Sequence, residues 1–494
     1  MDESSPTIEI ERHRAAIVRT DLSIPVRVAL AAELFNENTT FFDYGCGYGG
    51  DVARMAHKGY ISAGWDPYYF PDTPLIPSDI VNLGYVLNVI EDTEERREAL
   101  LKAWELTQQV LIVSAQVLID NRGKDKIAYG DGIVTCHNTF QKYYEQEELK
   151  TYIHQVLGVD PVPVALGIYF VFREEQAKEN FRASRWRSRS YIPSIRMPSK
   201  RFEDYREQLQ PLMEFISDRG RLPVKNELPQ AEQLILEFGS IPRAYKVILQ
   251  ATDEAEWDAI AYRRSLDIQV YLALTEFSDR PKLKDLAPEM RQDIKAFFGT
   301  YYEACEAAED MLFSLGKPGV IQNACRQSKI GKHLPTALYV HVSALEALNP
   351  LLRLYEGCAS RTIGRMEGAT LVKFHIDKPQ ISYLFYPEFD SVAHPALESS
   401  MTIKLPDLKV TYGDYSIRKN PPILHRKETF VTPDYPLYEQ FAELTRQEEI
   451  AGLLDRRHYI GTRQEWENRL AELGIEIKDH SLYGDGAIAL THGS

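Results

Sequence analysis

Apolar runs and amphipathic stretches alternate along the first third of the chain. "TTFFDYG" (39–45) and "YISAGWD" (60–66) are short and rich in aromatic or β-branched residues, and "GGDVARMAHKG" between them has helical spacing with Gly59 as its stop. "DIVNLGYVLNVI" (79–90) is an apolar run whose first half favours a strand. "EDTEERREALLKAWELT" after it is an amphipathic helix, and "QQVLIVSAQ" is another buried strand. A loop and helix in "TFQKYYEQEELKTYIHQVLG" lead to the closing strands of "VPVALGIYFVFRE". Strands separated by helices predict a parallel sheet covered on both faces. Ahead of this sheet, residues 12–35 read as a helical lead-in interrupted at Pro25.

The pattern changes twice further on. Residues 202–360 are dominated by helical periodicity, including "LPTALYVHVSALEALNPLLRLYEGCA". From 368 to 432, "ATLVKFHI", "QISYLFY", "SMTIKLP" and "LKVTYGDYSI" alternate with Pro, Gly and Asp and predict a small sheet, and 436–472 is helical again. The predicted fold is therefore α/β: a Rossmann-like domain at 1–178, a basic linker at 179–201, a helical domain at 202–362 and a β-rich plus helical region at 363–494.

At 494 residues the chain is too long for one core. The five cysteines are widely spaced and odd in number, which excludes a disulfide framework and a four-cysteine metal knot and fits a reducing cytoplasm. No apolar run reaches the roughly 18 residues of a membrane helix, and the acidic start "MDESSPTIEIE" is no signal peptide. The net charge of −15 excludes a uniformly DNA-coating protein but not a local basic patch. Residues 182–201 are such a patch, with seven Lys/Arg and no acidic residue. They are either an arm for phosphates or a solvated hinge.

"FFDYGCGYGGDV" (41–52) carries the chemistry. It contains G-x-G-x-x-G (Gly45, Gly47, Gly50), the dinucleotide pattern, and D-x-G-x-G-x-G (Asp43, Gly45, Gly47, Gly49), the pattern of S-adenosyl-L-methionine (SAM) enzymes. Asp43 ends the strand, where a carboxylate can accept from an α-amino group, whereas a pyrophosphate there would want donors. Asp66 ends the next strand and suits two ribose hydroxyls in either case. "DIVNLGYVLNVIED" resembles the fourth-strand segment of class I SAM methyltransferases, whose exit lines the methyl-donor pocket. SAM is therefore the cofactor expected, held by Asp43, Gly45, Cys46, Gly47, Gly49, Asp66, Pro67, Tyr68, Asp79 and Leu83. Tyr85 and Asn88, at the strand exit, are the candidates for handling the acceptor. Only 12 residues separate Asp66 from Asp79, too few for the usual helix and third strand. "PYYFPDTPLIPS" would then wall the adenine pocket as an irregular loop, with Tyr68 facing the base.

No acceptor signature stands out. "DPYY" (66–69) has one proline and sits at the ribose position, and "NPPI" (420–423) lacks an aromatic and reads as a turn. There is no Pro-Cys for attack on a cytosine carbon. His333 with His341, or His425 with His458, have no suitable partners nearby in sequence and read as structural histidines, so no metal is expected.

Together, "FFDYGCGYGGDVARM", "GWDPYY", "DIVNLGYVLNVIED", "TFQKYYEQEELKTYI", "LPTALYVH" and "NPPILHRKE" resemble the family of DNA phosphorothioation-associated methyltransferases, along nearly the whole chain. The resemblance implies DNA modification or defence, alongside the proteins that place sulfur in the DNA backbone. A local stretch, 220–248, is similar to short helix-turn-helix-like repeats found beside homing endonucleases, which would put Arg243 and Lys246 on a DNA-facing helix. The alternatives are methylation of RNA or a small molecule, and a SAM- or DNA-binding subunit without turnover.

Overall fold

The structure is a computed structural model and describes residues 10–117, 127–135, 137–196, 200–366, 368–455, 461–478 and 480–484. Cys136, His458 and residues 197–199 of the basic segment lie outside these. Contacts divide the chain into two compact units. The first holds 1–178, 359–368 and 410–412; the second holds 179–358, 369–409 and 413–494.

The first unit runs α1 (Ile24–Ala31), β1 (Thr40–Tyr44), α2 (Gly50–His57), β2 (Ile61–Trp65), β3 (Ser78–Gly84), α3 (Thr93–Leu106) and β4 (Thr107–Ser114). Three short antiparallel strands follow, β5 (Ile127–Tyr129), β6 (Gly132–Val134) and β7 (Phe140–Gln141), then α4 (Gln146–Leu157), β8 (Val162–Ala165) and β9 (Ile168–Phe172). The main sheet has the order β2-β1-β3-β4-β9-β8. β2, β1, β3 and β4 are parallel; β9 runs against β4, and β8 against β9. This is a Rossmann-like α/β sheet, as expected.

The helices form where their ends are satisfied. Asp92 caps α3 by accepting from the Glu95 amide at 2.8 Å, worth about 1 kcal/mol. Glu145 and Glu148 form a capping box on α4, which ends at left-handed Gly158. Ala99, Leu100 and Ala103 of α3 and Leu149 and Ile153 of α4 close over Phe42, Val81, Leu83, Leu111 and Val113, all buried. Each large aliphatic side chain buried this way contributes roughly 1.5–3 kcal/mol. α1 packs on β3 and β4, and α2 on β1 and β2. The lead-in differs from the expectation: Pro25 opens α1 in its first turn rather than interrupting a longer helix, because that turn has no use for the missing amide hydrogen.

Neither helix nor strand lies between β2 and β3. The link is a turn with a single bridge, Asp66 to Phe70, so β2 is the sheet edge. The chain passes from β1 outward to β2 and then to β3 on the other side of β1. That reversal opens a crevice at the carboxyl ends of β1 and β3, where such sheets bind ligands.

In the second unit, helices Arg206–Arg219, Ala231–Phe238, Ile241–Leu249, Glu254–Leu274, Pro288–Phe298 and Tyr301–Ser314 enclose two apolar cores. Strands Lys332–Leu334, Ala337–His341, Leu371–His375, Gln380–Phe385 and Ser399–Lys404 pair antiparallel in chain order. Here "LPTALYVH" departs from its helical expectation. Leu338 and Val340 are fully buried across from Phe374 and Val372. Cross-strand packing outweighs a local pattern that fits either period.

Candidate cofactor-binding site

Gly45, Gly47 and Gly49 take left-handed backbone angles, φ +83°, +52° and +72°, which side chains resist. A Cβ on Gly45 would stand 2.5 Å from the Val86 side chain, so the loop lies directly against the exit of β3. The Gly45 and Cys46 amides donate to the Trp65 carbonyl at 2.8 and 3.1 Å, which ties the turn to the end of β2.

Asp43 sits beneath this loop and is 5% exposed. Its Oδ1 accepts from Asn82 Nδ2 at 2.8 Å, across the β1–β3 pairing. Burial pushes its carboxyl up to about 7, and the Asp51 charge adds to this; Asn82 and Arg19 oppose it. A buried carboxyl with few donors at a topological switch point is suited to a cation. Asn82 was not anticipated from the sequence, although it is a lone polar residue in an apolar strand run.

Asp66 caps the loop from the other side. Its Oδ2 accepts from the Gly47 amide at 3.0 Å, and Oδ1 accepts from Tyr68 and Tyr69 at 2.9 and 3.0 Å. A carboxylate offers about four acceptor directions, so one remains, on Oδ2. Pro67 sets the turn that follows. Tyr68 is 60% exposed, and one face of its ring stacks on His13 at 4.2 Å.

A strap from the N-terminal segment crosses this region. Arg12 pairs with Glu91 at 2.7 and 2.8 Å and with Glu95 at 2.6 Å. The Tyr69 hydroxyl donates to the His13 carbonyl at 3.0 Å. A Cβ on Gly47 would meet Ala16 at 3.2 Å, and Arg19 lies over the Tyr85 ring at 5.7 Å. Nothing in the pattern of residues 10–21 marks them as a cover for the loop; only folding brings them there.

The remaining candidates separate. Tyr85 follows β3 at φ +62°, an uncommon conformation for a side chain of that size. Its amide donates to the Ser114 carbonyl at 2.9 Å, so it stands at the crevice. Asn88 is 2% exposed; its carbonyl accepts from Lys142 at 2.8 Å and its Oδ1 from Gln116 at 3.4 Å. It ties loops together rather than facing an acceptor. Leu83 is wholly buried in the core under α3. Asp79 is at the opposite end of the sheet. It is the second residue of β3, accepts from the Thr40 amide and hydroxyl at 2.9 and 2.7 Å and from Gln109 at 2.7 Å, and belongs to the strand starts. Cys46 has its thiol pushed up to about 12 by burial, with Asp43 and Asp66 adding, so it is no nucleophile at neutral pH.

The basic segment lies in the second unit. Arg182 is buried against Glu179 and Ser278, and Arg187 pairs with Asp218. Arg189 meets Glu346 and Asp434, and Arg196 meets Asp253 and Glu256. These four guanidinium groups are engaged by acidic side chains of the same unit. Arg243 and Lys246 are exposed on helix Ile241–Leu249, whose Ile241, Ala244, Val247 and Ile248 are buried. His333 and His341 satisfy local partners, Ser328 and Ser343, at 3.0 and 2.8 Å. No helix among the described residues is long and apolar enough to cross a membrane.

No family model and no curated protein matches the chain. Solved structures do, over about a third of it. One is the 1,6-didemethyltoxoflavin-N1-methyltransferase of Burkholderia thailandensis, with bound 1,6-didemethyltoxoflavin and S-adenosylhomocysteine: 13% identity, 31% of this chain, 79% of that chain, TM-score 0.25. The magnesium protoporphyrin IX methyltransferase of Synechocystis PCC 6803, with bound SAM, has 17% identity over 30% of this chain and 77% of that one, with TM-score 0.22. A SAM-dependent methyltransferase from Aquifex aeolicus has 13% identity over 31% and 89%, with TM-score 0.22.

Proposed function

We propose that the first unit binds SAM in the crevice between β1 and β3 and that the protein is a SAM-dependent methyltransferase. The observation that carries this is Asp43, a buried carboxylate at the switch point beneath a left-handed glycine loop capped by Asp66. The left-handed glycines let the backbone of Gly45–Gly49 turn sharply at the carboxyl end of β1, where the ligand would lie. Asp43 faces the ammonium of the methionine part. The free acceptor direction on Asp66 Oδ2 takes one ribose hydroxyl, and a second requires Tyr68 or Tyr69 to release Oδ1. SAM supplies a methyl group on a sulfonium. Its transfer by in-line attack needs positioning more than proton transfer, so the absence of a general base at Tyr85 is no obstacle.

DNA is the acceptor class we propose, in a phosphorothioation-linked modification system. The motif resemblance supports the setting. Arg243 and Lys246 support the acceptor: they share the exposed face of a short second helix after a tight Gly239–Ser240 turn. Radiolabelled methyl transfer from SAM to DNA, RNA, protein and small-molecule panels tests both steps. Label in DNA supports the full reading. Label only elsewhere removes DNA. No binding of SAM by the full chain removes the methyltransferase reading itself.

A further inference from the structure

The motif "NPPILHRKE" (420–428) has no place in the cofactor site. It carries His425, which is 3% exposed. Folding sets His425 beside two residues distant in sequence, His394 and Glu448. Glu448 comes from helix Tyr438–Ile450 and is 1% exposed. The imidazoles lie 4.3 Å apart, centroid to centroid, and Trp466 packs its ring edge-on to both, at 4.6 and 4.5 Å. Ile423, Leu453 and Leu454 complete an apolar wall.

The decisive detail is the tautomer of His394. Its Nδ1 is 2.9 Å from the Leu424 carbonyl, which can only accept, so Nδ1 carries the hydrogen. In neutral His394 the Nε2 lone pair then points at Glu448 Oε1, 2.6 Å away. Two lone pairs at that distance repel, so a cation belongs between them, either a proton or a metal. A carbonyl-anchored imidazole with its other nitrogen turned inward is the outer-shell arrangement of metal-bound histidine. The three ligand atoms lie within 4.8 Å of one another. Tetrahedral zinc at bond lengths of about 2.0–2.2 Å sets its ligand atoms about 3.3 Å apart. A metal therefore fits after Nε2 and Oε1 separate by about 0.7 Å, a side-chain adjustment.

We propose that His394, His425 and Glu448 bind one divalent transition metal of the zinc class, with a fourth position left to water or another ligand. Two imidazoles and one carboxylate select zinc-like ions over magnesium or calcium, which prefer all-oxygen sites. The site joins three segments of the second unit that are 31 and 23 positions apart in sequence. Of the two cations in the motif, Lys427 donates to the Phe389 and Val392 carbonyls, both at 2.7 Å, and Arg426 pairs with Glu449.

The test uses the full chain, stripped by chelator and reloaded with Zn²⁺ or Co²⁺ alone. Elemental analysis should give one zinc per chain, and cobalt should produce the visible absorption of a four-coordinate nitrogen–oxygen site. Glu448→Gln and His425→Gln should weaken binding by more than the tenfold to hundredfold typical of losing an outer-shell partner. No stoichiometric metal and no cobalt band in the wild type would overturn the proposal, as would folded variants that bind as tightly as wild type. If a variant fails to fold, the wild-type cobalt spectrum decides.

Discussion

Replacing Asp43 with Asn tests the cofactor site at its most sensitive point. Asp43 is buried, and its carboxyl is pushed up to about 7 from its ordinary 3.8, chiefly because burial penalises the charge. A ligand ammonium can pair only with the ionised form, so binding must first remove the proton wherever the free protein holds one. At pH 6 about one site in ten is ionised, which weakens apparent affinity about tenfold, or about 1.4 kcal/mol, relative to full ionisation; at pH 5 the factor is about a hundred. Titration calorimetry with S-adenosylhomocysteine from pH 5 to 7.5, in buffers of different ionisation heat, should show affinity rising with pH and about 0.9 proton released at pH 6. Asp43→Asn should bind weakly and lose that slope. The same shift has a stability consequence of opposite sign. Because the folded value is raised, Asp43 is least harmful to the free fold below about pH 4, and that advantage is lost as pH rises through about 7. Above pH 7 the ionised carboxylate costs the free protein up to roughly 4 kcal/mol, so Asp43→Asn should melt higher than wild type there and not at pH 4. A flat pH dependence, or a variant that binds like wild type, would refute the assignment of Asp43 to the ammonium.

Tyr68→Ala should weaken the same ligand by tenfold at most, since a stacked ring contributes about 0.5–1.5 kcal/mol beyond its area; an unchanged affinity would mean another segment closes the adenine side. Cys46→Ser should keep methyl transfer, and Cys46 should resist alkylation at pH 8, because its thiol is held near 12; rapid labelling at this position would contradict that. For DNA binding, Arg243→Ala with Lys246→Ala should flatten the salt dependence by about 0.9 for each phosphate these side chains neutralise. Arg187→Ala with Arg189→Ala should leave that slope unchanged and lower the melting temperature, because both side chains serve acidic partners within the fold. A slope that follows the second pair would restore the arm.

The glycine loop was legible because its demands are local. Left-handed angles at Gly45, Gly47 and Gly49 and a carboxylate at a strand end are consequences of a few adjacent residues. The missing third strand was legible for the same reason: a span of 12 residues between Asp66 and Asp79 with four prolines has no length to spare. Pairing across distance was not. Asp79 looked like a site residue until strand register set it beside Thr40, at the far end from the loop. Arg182, Arg187, Arg189 and Arg196 looked like part of a free basic patch until acids between 3 and 245 positions away engaged them. His394, His425 and Glu448 share no spacing that marks a site, and the strap over the loop has no pattern of its own. In each of these cases the deciding quantity is which surfaces come together when the core closes, and that depends on packing across the whole unit rather than on any window of sequence.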